Sequence, residues 1–173
     1  DIGRNYGIFA YADDVLALAH FYPMAVVYDD EGWATETPDV QGDVVYSDTA
    51  FYLVEVTAPA STQLVAGGIA VDNRTDDGQQ TVTYAAGPMR DFYLAASDDY
   101  IVMSDTINGV TVNSYGPVAH PDGVELALDV ARETIAEHSE WLAPYPFSEL
   151  DIVSTATSAL GVEYPGIVAN TAW

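Results

Sequence analysis

Hydrophobic and polar residues alternate with a period of two along most of the first 115 residues, as half-buried β-strands require. Tyr52, Val54 and Val56 fall on one face of such a stretch, for example, and Leu53, Glu55 and Thr57 fall on the other. Many short strands joined by turn-rich links predict an antiparallel β-sandwich or an open sheet. The predicted strands span residues 6–11, 21–29, 43–48, 50–59, 63–73, 79–87, 90–97, 100–107 and 109–115.

The pattern changes after Tyr115. Residues 116–123, "GPVAHPDG", have loop composition and predict a linker between two domains. We therefore divide the chain into a β domain over residues 1–115, a linker over 116–123 and a second unit over 124–173.

Residues 124–142 of the second unit have helical periodicity, and residues 150–155 predict a further strand. The polar positions of the helical stretch lie mostly off its apolar stripe. The residues predicted to form this stripe are Val124, Leu128, Ala131, Ile135 and Leu142.

Charge narrows the range of partners. The 173 residues include 27 Asp and Glu, four Arg and no Lys, which gives a net charge of −23. Such a surface repels nucleic-acid phosphates and anionic lipids, so we exclude binding to either. No apolar run is long enough to span a membrane, and no cysteine is present. This composition suits an extracellular or cell-surface protein, which we expect, although a salt-adapted cytoplasm fits as well.

Familiar catalytic and metal-binding motifs are missing. The three histidines, His20, His120 and His138, have no metal-ligand spacing, and we predict solvated or hydrogen-bonded imidazoles. Acidic pairs recur, and those in residues 72–78 could bind a calcium ion, but the preference of Asp for turns explains them more simply.

Gly67 and Gly68 predict a bulge within a strand.

Glu163 is the least expected residue, because it lies in the small and apolar stretch "SALGVEYPGIV". A carboxylate in such a strand is costly unless it has a partner. One partner is a cationic ligand such as a free amino terminus, and Gly161 would let a peptide backbone approach. The alternative is an exposed glutamate on an edge strand. Residue chemistry alone does not choose between the two.

Several stretches, in order, resemble the aminopeptidase N family of zinc metallopeptidases, especially its bacterial branch. The resemblance covers nearly the whole chain. It rests on "YGIFAYADDVLALAHFYPMAVVYDDEGW" (6–33), "FYLVEVTAPASTQLVAGG" (51–68), "MRDFYLAAS" (89–97), "LAPYPFSELDIVST" (142–155) and "GVEYPGIV" (161–168).

The resemblance implies a fold and a set of site residues. The fold would be mainly β with a smaller α/β part: a saddle-shaped antiparallel β domain, then the first helix and strands of a thermolysin-like catalytic domain. Glu163 matches the glutamate that binds the α-amino group of the substrate. Gly161 and Val162 match the backbone beside the scissile peptide, with Val162 replacing the usual Met. Tyr164 stands where many members have Asn.

The family's zinc helix, H-E-x-x-H, would follow this strand, but the sequence stops at Trp173. We therefore expect the chain to be an inactive, truncated piece of a zinc aminopeptidase that acts on peptides. Its zinc ligands would lie outside it, and no metal would be bound here. Strands without their usual neighbours could also self-associate through open edges. The alternative is a non-catalytic β-sandwich module that binds calcium, carbohydrate or a protein partner.

Overall fold

The computed structural model describes residues 5–36 and 45–171. A short 3-10 helix at Asn5–Gly7 begins the described part. The α-helix and the strands, in chain order, are β1 (Phe9–Ala12), β2 (Val15–Ala19), β3 (Tyr28–Asp29), β4 (Gly32–Trp33), β5 (Ala50–Pro59), β6 (Gln63–Ala66), β7 (Ile69–Asp76), β8 (Gln79–Met89), β9 (Tyr93–Ser97), β10 (Tyr100–Ile107), β11 (Val110–Pro117), α1 (Pro121–Trp141), β12 (Glu149–Thr155), β13 (Gly161–Tyr164) and β14 (Ile167–Thr171).

Three sheets stack on one another, and α1 covers the outer face of the last. The strand orders are β5-β8-β7, β1-β2-β9-β6 and β10-β11-β12-β14-β13, while β3 and β4 form a separate pair. The four-stranded sheet is the middle layer, because its side chains contribute to both neighbouring hydrophobic clusters. In spatial order, the layers are therefore the three-stranded sheet, the four-stranded sheet, the five-stranded sheet and the helix.

Strand β9 shows how completely the middle sheet is covered. All five of its residues are buried. Tyr93 and Ala95 pack toward the five-stranded sheet, whereas Leu94 packs toward the three-stranded sheet. A strand covered on both faces needs no polar side, which accounts for the uninterrupted apolar run over residues 93–96.

The five-stranded sheet is mixed. Strand β10 is antiparallel to β11, whereas β11, β12 and β14 run parallel to one another. Helix α1 is the crossover that parallel pairing of β11 with β12 requires. After β14 the order ends with β13, which pairs antiparallel to β14 and forms the sheet edge.

Helix α1 begins at Pro121, where a missing N–H costs nothing, and Asp122 lies in its first turn, near the positive end of the helix dipole. The predicted stripe is confirmed for its first four members and wrong for Leu142. The helix ends at Trp141, and Leu142 is 81% exposed beyond it. The buried residues of the helix are Val124, Leu128, Ala131 and Ile135.

Strand predictions succeed where alternation is regular. Residues 50–59 and 100–107 form strands with the predicted bounds. Residues 21–29 do not form one strand, since only Tyr28–Asp29 pairs with another strand. Residues 45–48 form no strand, and the rest of the predicted 43–48 lies outside the described residues.

The predicted strand 63–73 is also wrong, because β6 and β7 belong to different sheets. Gly68 lies between them with a φ of +88°, a conformation that glycine adopts at little steric cost, and the chain passes there from one sheet to the next.

The fold class is confirmed, since the described chain is mostly antiparallel β with a smaller α/β part. The five-stranded sheet combines strands from both sides of the predicted linker 116–123. The domain boundaries stay a prediction. Among the described residues, no helix has the length and apolarity to cross a membrane.

Candidate functional site

Strand β13, which carries the predicted site residues, lies at the edge of the five-stranded sheet. Among the described residues it pairs with β14 alone, with Glu163 opposite Val168 and Tyr164 opposite Ile167. An edge strand presents backbone N–H and C=O groups that no neighbouring strand satisfies, and an extended peptide can pair with them.

Glu163 is exposed and faces the α1 side of the sheet, as does Val168 opposite it. Its carboxylate forms no hydrogen bond or ion pair within residues 5–36 and 45–171. It lines a groove of about 440 Å³ between the end of α1 and the sheet, together with His138, Leu142 and Tyr145. An unpartnered carboxylate at the wall of a mostly apolar groove can accept hydrogen bonds from a cationic ligand.

The other three predicted site residues occupy different surroundings. Gly161 is exposed on the same face as Glu163, and a Cβ atom added there would meet only the Ala169 carbonyl oxygen, 3.9 Å away. Val162 and Tyr164 point to the opposite face and pack in the cluster shared with the middle sheet. The structure therefore brings Glu163 and Gly161 together on one face, and it separates the side chains of Val162 and Tyr164 from them.

Tyr164 is held by aromatic contacts. Its ring stacks on Tyr93, with centroids 4.6 Å apart and ring planes 19° apart. The His20 imidazole approaches the Tyr164 ring edge-on at 6.2 Å. His20 Nε2 in turn lies 3.0 Å from Asp91 Oδ1. Burial raises the pKa of Tyr164, and the nearby Asp91 and Glu163 charges raise it further.

Asp151 is a buried carboxyl group that sequence reasoning missed. It is 3% exposed and accepts a hydrogen bond of 2.8 Å from Asn113 Nδ2. Burial raises the pKa of Asp151 to about 7, with a smaller contribution from Glu149 and an opposing one from Asn113. The signal in the sequence was an aspartate between the apolar residues Leu150 and Ile152.

The remaining acidic and histidine residues do not converge on a metal site. Within the described ranges, no group of three or more His, Cys, Asp or Glu residues could hold a metal ion. Asp13, Asp14 and Asp77 adopt positive φ values at hairpin turns, the structural role that turn chemistry predicts. The described residues therefore do not fit a catalytic zinc ion, which needs three protein ligands.

Three solved structures that share the fold over about 70% of this chain are M1 zinc metallopeptidases. A two-domain M1 zinc metallopeptidase mutant bound to L-arginine is 20% identical with a TM-score of 0.59, covering 72% of this chain and 31% of that chain. An M1 zinc metallopeptidase from Deinococcus radiodurans is 19% identical with a TM-score of 0.59 over the same shares. A mutant from the same organism, bound to a Tyr-Ser-Ala substrate, is 21% identical with a TM-score of 0.56, covering 70% and 30%.

No protein-family model matches the chain, and no curated protein matches it in sequence. The structural likeness shows that the chain has the fold of part of an M1 zinc metallopeptidase. The chain spans 31% of the length of the solved structures named first. The resemblance seen in the sequence is thereby confirmed at the level of the fold.

Proposed function

We propose that the chain is part of a zinc-dependent aminopeptidase in which Glu163 binds the free α-amino group of a peptide substrate. The observation that carries the proposal is the exposed Glu163 carboxylate on an edge strand, unpartnered in the described part of the chain. An ionised carboxylate only accepts hydrogen bonds, whereas an ammonium group only donates them. The fold of M1 zinc metallopeptidases supports assigning this pair to a peptide substrate.

A substrate would lie along β13 as an added strand. The open edge of β13 offers backbone donors and acceptors to an extended peptide. Gly161 keeps the adjacent face free of a side chain. Pairing the first amino group with Glu163 then fixes the register, so that the same peptide bond, the first, always occupies the same place along the strand.

The strength of this ion pair depends on what covers it. An exposed pair contributes only about 0–1 kcal/mol, because water screens it. The same pair becomes stronger when neighbouring polypeptide and substrate exclude water. We therefore expect the chain alone to bind amino-terminal peptides weakly and the parent enzyme to bind them well.

Zinc chemistry belongs to other parts of the parent polypeptide in this proposal. A bound zinc ion would supply the activated water and polarise the scissile carbonyl. No such step is assigned to the described residues, since they bring no three metal-ligating side chains together. Accordingly, we expect the chain by itself not to hydrolyse aminoacyl substrates.

The test is substitution of Glu163 in the parent enzyme. Glu163→Gln keeps the size of the side chain and removes its charge, so kcat/KM for aminoacyl substrates should fall by about 10- to 100-fold, the value of a charge-assisted hydrogen bond. Glu133→Gln, at an exposed position on α1, is the matched control and should leave kcat/KM unchanged. Equal kcat/KM for wild type and Glu163→Gln would contradict the assigned role.

A further inference from the structure

Strand β13 has little backbone support for a strand that carries a binding residue. It is four residues long, and in the part of the chain that the structure describes β14 is the one strand that pairs with it. Short edge strands with one neighbour belong to the least stable parts of a fold and open locally before the core does. The place of the Glu163 carboxylate must therefore depend on side-chain contacts that hold β13 against the rest of the molecule.

One set of contacts holds the end of the strand. Tyr164, its last residue, stacks on Tyr93, the first residue of β9 in the middle sheet. Tyr93 is 1% exposed, so it forms a fixed surface for the Tyr164 ring. His20 contacts the Tyr164 ring edge-on, and its own position is set by Asp91, 3.0 Å away.

A second set of contacts holds the segment before the strand. Thr157 Oγ1 donates a hydrogen bond of 2.7 Å to the Tyr6 carbonyl oxygen, and the Ser158 N–H donates another of 2.9 Å to the same atom. Tyr6 precedes β1, so this segment is fixed to the start of the described chain, whereas Tyr164 is held by β9 and His20. Thr171 of β14 also donates its N–H to the Leu160 carbonyl oxygen and its Oγ1 hydroxyl to the Thr157 carbonyl oxygen. Contacts from outside the sheet thus add to the pairing with β14.

We propose that Tyr164, packed between Tyr93 and the His20–Asp91 pair, is a positioning residue for Glu163. This inference rests on the function proposed above. The two side chains are adjacent in sequence and point to opposite faces of one strand. The ring on the inner face fixes the backbone, and the backbone fixes the carboxylate on the outer face. Small displacements of a binding group are costly, because a shift of about 1 Å can lower the rate of an enzymatic reaction about 100-fold.

The contact is made by the ring rather than by the hydroxyl. The phenol oxygens of Tyr93 and Tyr164 are both buried and have no hydrogen-bond partner in the described residues. Tyr164→Phe should therefore keep the positioning, and Tyr164→Leu should lose it while remaining apolar. These two substitutions form a matched pair.

The first experiment measures amide hydrogen exchange in the chain itself. In Tyr164→Leu, the amides of residues 162 and 164, which face β14, should exchange at least about tenfold faster than in wild type, as local opening requires, with the Val153 amide of β12 unchanged. Tyr164→Phe should match wild type. If Tyr164→Leu fails to fold, Asp91→Ala, which removes the hydrogen-bond partner of His20, should give the same local effect. Unchanged exchange at Val162 in whichever of these variants folds would overturn the inference.

The second experiment is a double-mutant cycle in the parent enzyme. If Tyr164 acts through Glu163, Tyr164→Leu should lower kcat/KM by about tenfold in wild type and have almost no effect in the Glu163→Gln background. Additive losses would mean a general structural role and would overturn the inference, while the proposed function would stand. Full activity of Glu163→Gln would instead remove the proposed function, and the exchange data would still report whether Tyr164 holds β13.

Discussion

Asp151 and Glu163 show how differently single carboxyl groups are placed in one sheet. Asp151 is buried, with Asn113 as its hydrogen-bond donor, whereas Glu163 is exposed and unpartnered among the described residues. Burial disfavours the charged form of Asp151 and raises its pKa from 3.8 to about 7. Glu149, on the same strand, also has its pKa raised by burial.

The raised pKa of Asp151 predicts a pH-dependent stability. Below pH 3.8 the carboxyl group is protonated in both the folded and the unfolded chain. Between about pH 4 and 7 the unfolded chain loses this proton first, so the free energy of unfolding falls as the pH rises. Above pH 7 the ionised group is buried in the folded chain, and this contribution to stability is lost.

Asp151→Asn should remove this dependence. The variant keeps an acceptor for Asn113 and cannot ionise, so its free energy of unfolding should change less between pH 4 and 8 than that of wild type. Chemical denaturation at several pH values measures the difference. Asp30→Asn, at an exposed position, controls for the lost charge and should retain the wild-type slope. Identical slopes for Asp151→Asn and wild type would refute the assignment.

At the scale of elements, regular alternation was enough to predict β5 and β10, because each has one covered face. β2 was missed, since "VLALA" buries small alanines whose pattern is weak. The break at Gly68 was mistaken for a bulge because period alone does not report a change of sheet. Within the candidate site, the apolar neighbours of Glu163 in the sequence were enough to single it out as a candidate binding residue. The contact between His20 and Asp91 joins residues 71 positions apart, which no local pattern reveals.

The contact between α1 and β11 gives a prediction about packing. A Cβ atom added at Gly116 would lie 2.7 Å from Val124 Cγ2 and 3.4 Å from Ser154 Oγ. Val124 is 1% exposed and cannot move freely. Gly116→Ala should therefore lower the free energy of unfolding by about 1–3 kcal/mol, the usual cost of overpacking.

Gly161→Ala in β13 is the matched control, because its added Cβ would meet nothing closer than 3.9 Å. Denaturant unfolding of both variants measures the difference. Equal stability of Gly116→Ala and wild type would show that α1 packs less closely on β11 than described.

At the scale of the whole molecule, charge repulsion opposes folding. The net charge is −23, and the described ion pairs of arginine, such as Arg74 with Glu55 and Arg132 with Asp105, are few and exposed. Salt shortens the Debye length from about 30 Å at 0.01 M to about 8 Å at 0.15 M, which weakens the repulsion. The thermal midpoint should therefore rise with sodium chloride.

The control is to measure the thermal midpoint against sodium chloride concentration again at pH 4. Protonation of carboxylates lowers the net charge there, so the rise should be smaller. A thermal midpoint that falls with salt at pH 7 would mean that the arginine ion pairs outweigh the repulsion between carboxylates.

The central claim is the proposal that Glu163 recognises a free amino terminus in a parent aminopeptidase. The most direct measurement compares kcat/KM for a peptide and for its N-acetylated form, in wild type and in Glu163→Gln. Acetylation removes the ammonium charge, so wild type should strongly prefer the free peptide, and Glu163→Gln should lose most of that preference. The same preference in both enzymes would contradict the claim.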